Sequence, residues 1–472
     1  MEKISFGTDG WRGILAEDFT FGNVRLVSRA VAGYVLKRGL AQRGVVVGYD
    51  NRFLSDRFAS EIAETMSSLG VSVYLTERAA PTPVTAYAVK LYNAGGAVMI
   101  TASHNPPEYN GFKFIPEYAG PALPHITKEI ENNIRVLQES GPVLSGPAGA
   151  AGNAPVKMIN PFDDYARHLT ALVDMKAIGR AGLKVAVDPM YGAGAGYLEK
   201  LLEQAGAGVE AIHNYRDPLF GGSLPEPTEK SLAELGDVVK RSGARLGLAL
   251  DGDADRFGII DSTGGFITPN QFLPLLYYHM LAVRGMRGPV ARTVATTHLL
   301  DRMAERYGTQ VEETPVGFKY IGQCLAEKGA VLGGEESGGL SIKGHIPEKD
   351  GILAGLLAAE IVAVHGKTLT ELLARVYGEF GACYSNRLDV HTSPTEKERV
   401  LGVLQNFRPE AVAGRKVIGR DGRDGVKLLL EGGSWLLIRA SGTEPLFRIY
   451  AEAGSPEDVR AVQSAARNLL GL

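Results

Sequence analysis

Three stretches of the chain share one pattern: a short apolar run, a turn, an amphipathic segment, a glycine and a second apolar run. No other feature of the sequence restricts the fold as strongly. In "RGVVVGYDNRFLSDRFASEIAETMSSLGVSVYL" the run Val45 to Tyr49 reads as a buried strand and Asp50-Asn51 as a turn. Phe58, Ile62, Met66 and Leu69 then recur at helical spacing on one face, and Val71 to Leu75 returns as a strand. "GLKVAVDPMYGAGAGYLEKLLEQAGAGVEAI" repeats the pattern, with a strand at 183–187 and a helix from Tyr197 to Gln204. "GPVARTVATTHLLDRMAERYGTQVEET" repeats it again. Strand–helix–strand units cross over right-handedly to parallel neighbours, so the pattern predicts three related α/β domains with mostly parallel pairing.

The C-terminal part is different in kind. "GVKLLLEGGSWLLIRASGTEPLFRIYAEA" alternates strand and turn, and "SPEDVRAVQSAARNLL" is a capped helix, so a fourth, α+β domain is expected. The 472 residues leave room for it, since a domain commonly takes about 100–200 residues. "ESGPVLSGPAGAAGNAP", residues 139–155, is too rich in small and turn-forming residues to bury a core and reads as a linker or surface loop. A net charge of −3 gives no bulk attraction to nucleic acid or to an anionic membrane. The two cysteines, Cys324 and Cys383, fit neither a disulfide framework nor a thiolate metal motif. No apolar window approaches the ~18 residues of a spanning helix, and no leader-like segment opens the chain. A cytoplasmic protein with no membrane or nucleic-acid partner is the expectation.

Five segments carry candidate chemistry. "AVMITASHNPP" puts Ser103 just beyond the apolar run Ala97 to Ile100, where Pro106 and Pro107 stop the strand. Strand ends are where α/β folds present reactive groups, so Ser103 is expected to be exposed there, although Ser, Asn and Pro also favour plain turns. "LGLALDGDADRFGIID" places Asp251, Asp253 and Asp255 at alternate positions between two apolar strands. Carboxylates this close repel unless a hard divalent cation such as Mg²⁺ or Ca²⁺ draws them together; the alternative is a solvated acidic turn. An EF-hand is excluded, because its sixth position needs Gly and holds Arg256, and its twelfth needs Glu and holds Ser262. "LLIRASGTEPLFRIY" sets Arg439, Ser441, Gly442 and Thr443 in a loop between strands, with Arg448 on the second. That set suits a phosphate, and equally a decorated hairpin turn. "VLGGEESGGLSIKGHIPEKDG" places Glu335 and Ser337 in a glycine-rich loop suited to sugar hydroxyls or to a surface hairpin. Lys349, downstream, would exchange protons if burial or a neighbouring cation lowered its pKa. "GTDGWRG" offers Arg12 on a tight turn, and the glycines at 192–196 are read as turn glycines.

Taken in order, "GTDGWRG", "TASHNP" with "NGFKF", "DGDADR", "GEESGG" with "HIPEKDG", and "RASGTEP" resemble the α-D-phosphohexomutase superfamily over essentially the whole chain. The resemblance implies three related α/β domains with mixed sheets and a C-terminal α+β domain of the TATA-box-binding-protein-like type around a central cleft. It divides the chain into a phosphoserine domain (1–150), a metal-binding domain (151–262), a sugar-binding domain (263–372) and a phosphate-binding domain (373–472). By the same carry-over Ser103 is the phosphoserine and holds Mg²⁺ with Asp251, Asp253 and Asp255. Lys113 and Lys349 are the proton-transfer candidates, Arg12 and His104 support the phosphoserine, and Arg256 is a further catalytic candidate. Glu335 and Ser337 contact the sugar, with Gly317 and Lys319 of "TPVGFKY" beside it, and Arg439, Ser441, Gly442, Thr443 and Arg448 hold the non-reacting phosphate.

The implied reaction moves a phosphoryl group between C1 and C6 of a hexose phosphate, with glucose 1,6-bisphosphate as intermediate and activator, in a monomer or homodimer. Phosphoglucosamine mutases and many phosphomannomutase/phosphoglucomutases carry histidine after the Ser-Gly of the sugar loop, where this chain has Gly339. The lysine of "HIPEKDG" resembles glucose-type phosphoglucomutases instead. Glucose 1-phosphate is therefore the expected substrate, and phosphomannomutase, phosphoglucosamine mutase or a non-catalytic sugar-phosphate-binding protein are the alternatives.

Overall fold

The computed structural model describes residues 4–7, 9–140, 153–441 and 445–472. They form two compact units. The first comprises residues up to Thr268 together with Gly317–Gly333 and Ser337–Thr370; the second comprises Pro269–Val316, Gly334–Glu336 and Glu371–Leu472.

The first unit holds two sheets of one design. In the first sheet Val45–Tyr49, Val73–Thr76, Gly96–Ile100 and Val156–Ile159 run parallel, and the helix Ser55–Ser68 makes the crossover expected from its apolar stripe. Phe58, Ile62 and Met66 of that helix are fully buried or nearly so. In the second sheet Lys184–Asp188, Gly208–Ala211 and Leu246–Leu250 are parallel, with the helix Leu198–Ala205 between the first two. Both sheets then depart from parallel pairing in the same way. Gly96–Ile100 turns back into the antiparallel strand Tyr109–Pro116, and Leu246–Leu250 turns back into Phe257–Asp261. The sheets are mixed for that reason, and each hairpin tip lies at the carboxyl end of a central strand. The third repeat begins likewise in the second unit, with Val290–Thr293 parallel to Val311–Thr314 around the helix Leu299–Arg306. The linker read at 139–155 lies largely outside the described residues, although the helix Pro124–Ser140 takes in its first two positions.

The C-terminal domain is a six-stranded antiparallel sheet beside the helices Pro394–Gln405 and Pro456–Leu470. Ser393 and Ser455 cap these helices by accepting from the N–H groups of Glu396 and Asp458. Among the described residues no single helix is long and apolar enough to cross a membrane.

One buried network of the first unit fixes the start of its most apolar helix, Gly351–His365. Asp350 caps that helix by accepting from the Leu353 N–H. The Asp350 Oδ2 also accepts from the Tyr165 hydroxyl at 2.7 Å and lies 2.8 Å from His345 Nε2, whose Nδ1 is 3.0 Å from His168 Nε2. Burial, and then His345 beside it, push the His168 pKa from 6.5 down to about 4. The unfolded chain therefore takes up a proton at His168 below about pH 6.5 while the folded chain does not until about pH 4. Stability is full above that window and is lost as pH falls through it. Melting temperatures across the window should fall less for His168→Phe than for the unmodified protein; equal falls would remove His168 from the acid response.

Candidate active site

Ser103 occupies the tip of the first hairpin. Its backbone is left-handed, with φ at 51°, unusual for a residue with a side chain. Thr101 Oγ1 accepts from the Ser103 N–H at 2.8 Å, and the Ser103 Oγ donates to Asp251 Oδ2 at 2.9 Å. The expectation of an exposed serine is corrected, because Ser103 is only 2% accessible. The cause is close packing on the second hairpin: a Cβ at Gly252 would lie 2.5 Å from the Ser103 carbonyl oxygen. His104 Nδ1 is 3.3 Å from the same Oγ. Burial, then Arg256 and Arg12, hold the His104 pKa well below the ordinary range, so the ring is neutral. Arg12 sits on the strand Trp11–Ile14, not on a turn, and donates to Asn105 Oδ1.

Asp251, Asp253 and Asp255 are buried at the second hairpin tip, each with a carboxylate oxygen within 4.8 Å of the others. Asp253 Oδ2 accepts from Thr82 Oγ1 at 2.7 Å and from Lys113 Nζ at 2.8 Å. Asp255 Oδ2 lies 3.1 Å from Lys113 Nζ and 3.2 Å from Lys349 Nζ. The remaining oxygens, Asp253 Oδ1 and Asp255 Oδ1, are buried without a hydrogen-bond partner. Orphaned buried carboxylate oxygens are costly. A hard cation held by these oxygens with Asp251 removes that cost, so the residues fit a metal and a solvated acidic turn is excluded. Arg256 closes the loop, donating its N–H to Asp251 Oδ1 at 3.0 Å and pairing through Nη1 with Glu226 at 3.2 Å.

The two lysines meet at Asp9, which no local pattern in the sequence marks. Asp9 Oδ2 is 2.9 Å from Lys113 Nζ and 3.2 Å from Lys349 Nζ. Burial alone would lower both lysine pKa values, but Asp253, Asp255 and Asp9 outweigh it at Lys113, and Asp255, Asp9 and Glu348 outweigh it at Lys349. Lys349 thus has no lowered pKa, and both side chains are ammoniums. Burial raises the Asp251 pKa and its two carboxylate neighbours raise it further. At Asp253 burial is overcome by Lys113, and that carboxyl stays ionised. Glu348, beside Lys349, is pushed up to about 8 by burial. Lys349 also explains Gly339, since a Cβ there would lie 2.5 Å from Lys349 Cδ and 2.8 Å from its Cγ.

Of the other expected residues in this unit, Gly317, with φ at 129°, precedes the helix Phe318–Glu327, and Lys319 is half-buried in its first turn. Ser337 is partly buried, just after the strand Leu332–Gly334. Glu335, buried, belongs to the second unit. There Arg439 lies on the strand Ser434–Ala440, not in the loop, directly opposite Arg448 on Leu446–Ala453. Two like charges facing across a ladder repel. Asp424 offsets this by pairing with Arg439 through both oxygens at 3.0 Å, and its Oδ2 also accepts from the Val316 N–H. Ser441 is buried, and its carbonyl accepts from Lys397 Nζ. Gly442 and Thr443 lie outside the described residues.

Family models described as phosphoglucomutase/phosphomannomutase match in order: α/β/α domain I at 3–140, domain II at 163–264, domain III at 268–380 and the C-terminal domain at 394–469. A phosphoglucomutase/phosphomannomutase of Thermococcus kodakarensis is 34% identical over 96% of each chain. The chain belongs to the phosphoglucomutase/phosphomannomutase family. It is therefore a phosphohexomutase of the α-D-phosphohexomutase superfamily, an enzyme of the isomerase class acting by phosphoryl transfer. A phosphoglucosamine/phosphogalactosamine mutase of Sulfurisphaera tokodaii is 31% identical over 95% of each chain. A crystal structure from Thermus thermophilus, provisionally named phosphomannomutase, matches all of both chains with a TM-score of 0.85 and 37% identity. Family members thus carry names for different hexoses.

Proposed function

We propose that this phosphohexomutase interconverts glucose 1-phosphate and glucose 6-phosphate, with mannose phosphates as second substrates. The observation that carries the sugar preference is the packing of Lys349 into the space above Gly339, which leaves no room for a histidine there. Lysine and histidine exclude each other at this point, and this chain has the lysine arrangement of glucose-type enzymes.

Ser103 is the residue that carries the phosphoryl group. In the first half-reaction the Ser103 Oγ–P bond breaks as a bond forms from phosphorus to the C6 oxygen of a hexose 1-phosphate. Lys113 or Lys349, each an ammonium paired with Asp9, gives one proton to the serine oxygen, and the proton lost by the sugar hydroxyl restores it. The 1,6-bisphosphate then turns over, and its C1 phosphate passes back to Ser103 with the proton traffic reversed. Asp251, Asp253, Asp255 and the Ser103 oxygen would hold Mg²⁺, which would supply positive charge against the negative charge of the transferring group. Arg12, His104 and Arg256 orient the serine loop and its phosphate. Glu335, Ser337, Gly317 and Lys319 take the role of binding the sugar, and Arg439, Ser441, Gly442, Thr443 and Arg448 that of taking the phosphate that is not reacting. The roles divide by domain as phosphoserine (1–150), metal (151–262), sugar (263–372) and phosphate (373–472).

Coupled assays with glucose, mannose and glucosamine 1-phosphates, primed with glucose 1,6-bisphosphate, test the preference. The expected order of kcat/KM is glucose, then mannose, then glucosamine. A higher value for glucosamine 1-phosphate would overturn the argument from Gly339.

A further inference from the structure

The turn Asp50–Asn51–Arg52 connects a strand to a helix, and the mechanism above gives it no task. Its side chains nevertheless hold both reactive loops. Arg52 is wholly buried. Its Nη2 donates to the carbonyls of Ser103 and Asn105, both at 2.7 Å, and its Nη1 donates to those of Pro106 at 2.7 Å and Tyr109 at 3.1 Å. One guanidinium thereby takes up four carbonyls of the serine hairpin tip. Its Nε faces the buried Asp50 carboxylate at 3.2 Å, and the Phe220 ring lies 4.9 Å from the guanidinium carbon. Asp50 Oδ1 in turn accepts from the Arg52 N–H and the Ser55 hydroxyl, tying the turn to the helix that starts there.

The neighbouring residue grips the other loop. Asn51 Nδ2 donates to the carbonyls of Tyr191 at 2.9 Å and Gly192 at 2.8 Å. That segment backs directly onto the metal loop. The Ala193 N–H donates to the Gly252 carbonyl at 2.9 Å, and a Cβ at Gly192 would lie 3.0 Å from the Asp251 carbonyl oxygen.

We propose that Arg52, with Asn51, is a positioning residue for phosphoryl transfer, setting the Ser103 oxygen against Asp251 by bracing the two loops from behind. The proposal rests on the reading of Ser103 as the residue that is phosphorylated. Ser103 needs such a brace, because a left-handed residue with a Cβ relaxes unless its surroundings hold it. Only a planar fork of N–H groups meets so many carbonyls at once; the compact ammonium of lysine does not. Because the peptide is trans, holding the Ser103 carbonyl also fixes the direction of the His104 N–H, which points the opposite way.

The test compares Arg52→Lys, Arg52→Ala and Asn51→Ala with the unmodified protein, using only folded, monodisperse fractions. Two quantities are read: kcat and KM for glucose 1-phosphate, and the rate of Ser103 phosphorylation by glucose 1,6-bisphosphate from intact mass and peptide mapping. For Arg52→Lys a misplacement near 1 Å lowers kcat by about 100-fold, with KM little changed and phosphorylation slowed in step. Arg52→Ala should recover part of its rate in dilute guanidinium chloride and none in urea or sodium chloride. If Arg52→Ala does not fold, Arg52→Lys and Asn51→Ala decide the matter. Unmodified kcat in folded Arg52→Lys, or a loss confined to KM, would overturn the proposal. A phosphoryl group mapped away from Ser103 in the unmodified protein would instead overturn the reading on which it rests.

Discussion

Ser103→Ala is expected to abolish mutase turnover, by about 10⁴-fold or more on the scale seen when a covalent nucleophile is removed. The substitution is mild for the fold. Alanine keeps the Cβ and meets the left-handed backbone much as serine does, and the Thr101 hydroxyl still accepts from the backbone N–H. What disappears is the oxygen that lies 2.9 Å from Asp251 and 3.3 Å from the His104 ring. Intact mass of the unmodified protein incubated with glucose 1,6-bisphosphate should rise by one phosphoryl group, mapped to Ser103, and the variant should show no rise. A variant that turns over like the unmodified enzyme would remove Ser103 from the reaction.

Metal removal comes next in size, and the reason lies in that same contact. The serine hydroxyl now donates to Asp251, but a phosphorylated oxygen has no hydrogen to give and brings about two negative charges with it. Facing three buried carboxylates, it repels them unless a cation stands between. Chelation should therefore cost about 1000-fold in kcat, the worth of several kcal/mol of charge stabilisation. Asp253→Asn keeps the shape of the side chain and removes one charge. It should weaken Mg²⁺ binding by about 10- to 100-fold, the range for losing one charge-assisted contact. Calorimetry reads that change directly, as does the loss of the Mg²⁺-dependent rise in melting temperature, since a ligand bound only by the folded state stabilises it. Full activity in excess chelator, or unchanged Mg²⁺ affinity in the variant, would contradict the assignment.

What the sequence reveals of this site is what lies close along the chain. Asp251, Asp253 and Asp255 occupy one loop, so their proximity is visible as spacing, and the strand before Ser103 is visible as an apolar run. The helix from Ser55 is legible because its apolar residues recur at helical intervals. Contacts between distant segments leave no such mark. Asp9 meets Lys349 across 340 positions, Thr82 meets Asp253 across 171, and Arg52 reaches Ser103 across 51. "GTDGWRG" signals a site through its arginine, but nothing local marks its aspartate, which joins both lysines. The burial of Ser103 was equally hidden, because it depends on a glycine in another hairpin. The raised lysine pKa values follow from the same kind of contact: burial alone argues for lowering, and only the assembled carboxylates reverse it. Arg439 reads as a loop residue because nothing local marks where its strand ends.

The fit of Lys349 over Gly339 bears on which substitutions position 339 accepts. Lys349 Nζ is tethered to Asp9 and Asp255, so the middle of its side chain cannot swing aside to admit a bulkier neighbour. A histidine arriving at 339 first meets those methylenes and gains no working position. Shortening Lys349 first opens the space but surrenders the ammonium before anything replaces it. Under the proposed sugar preference, exchanging the lysine for a histidine at 339 therefore takes paired substitutions, in which the effect of each depends on the other.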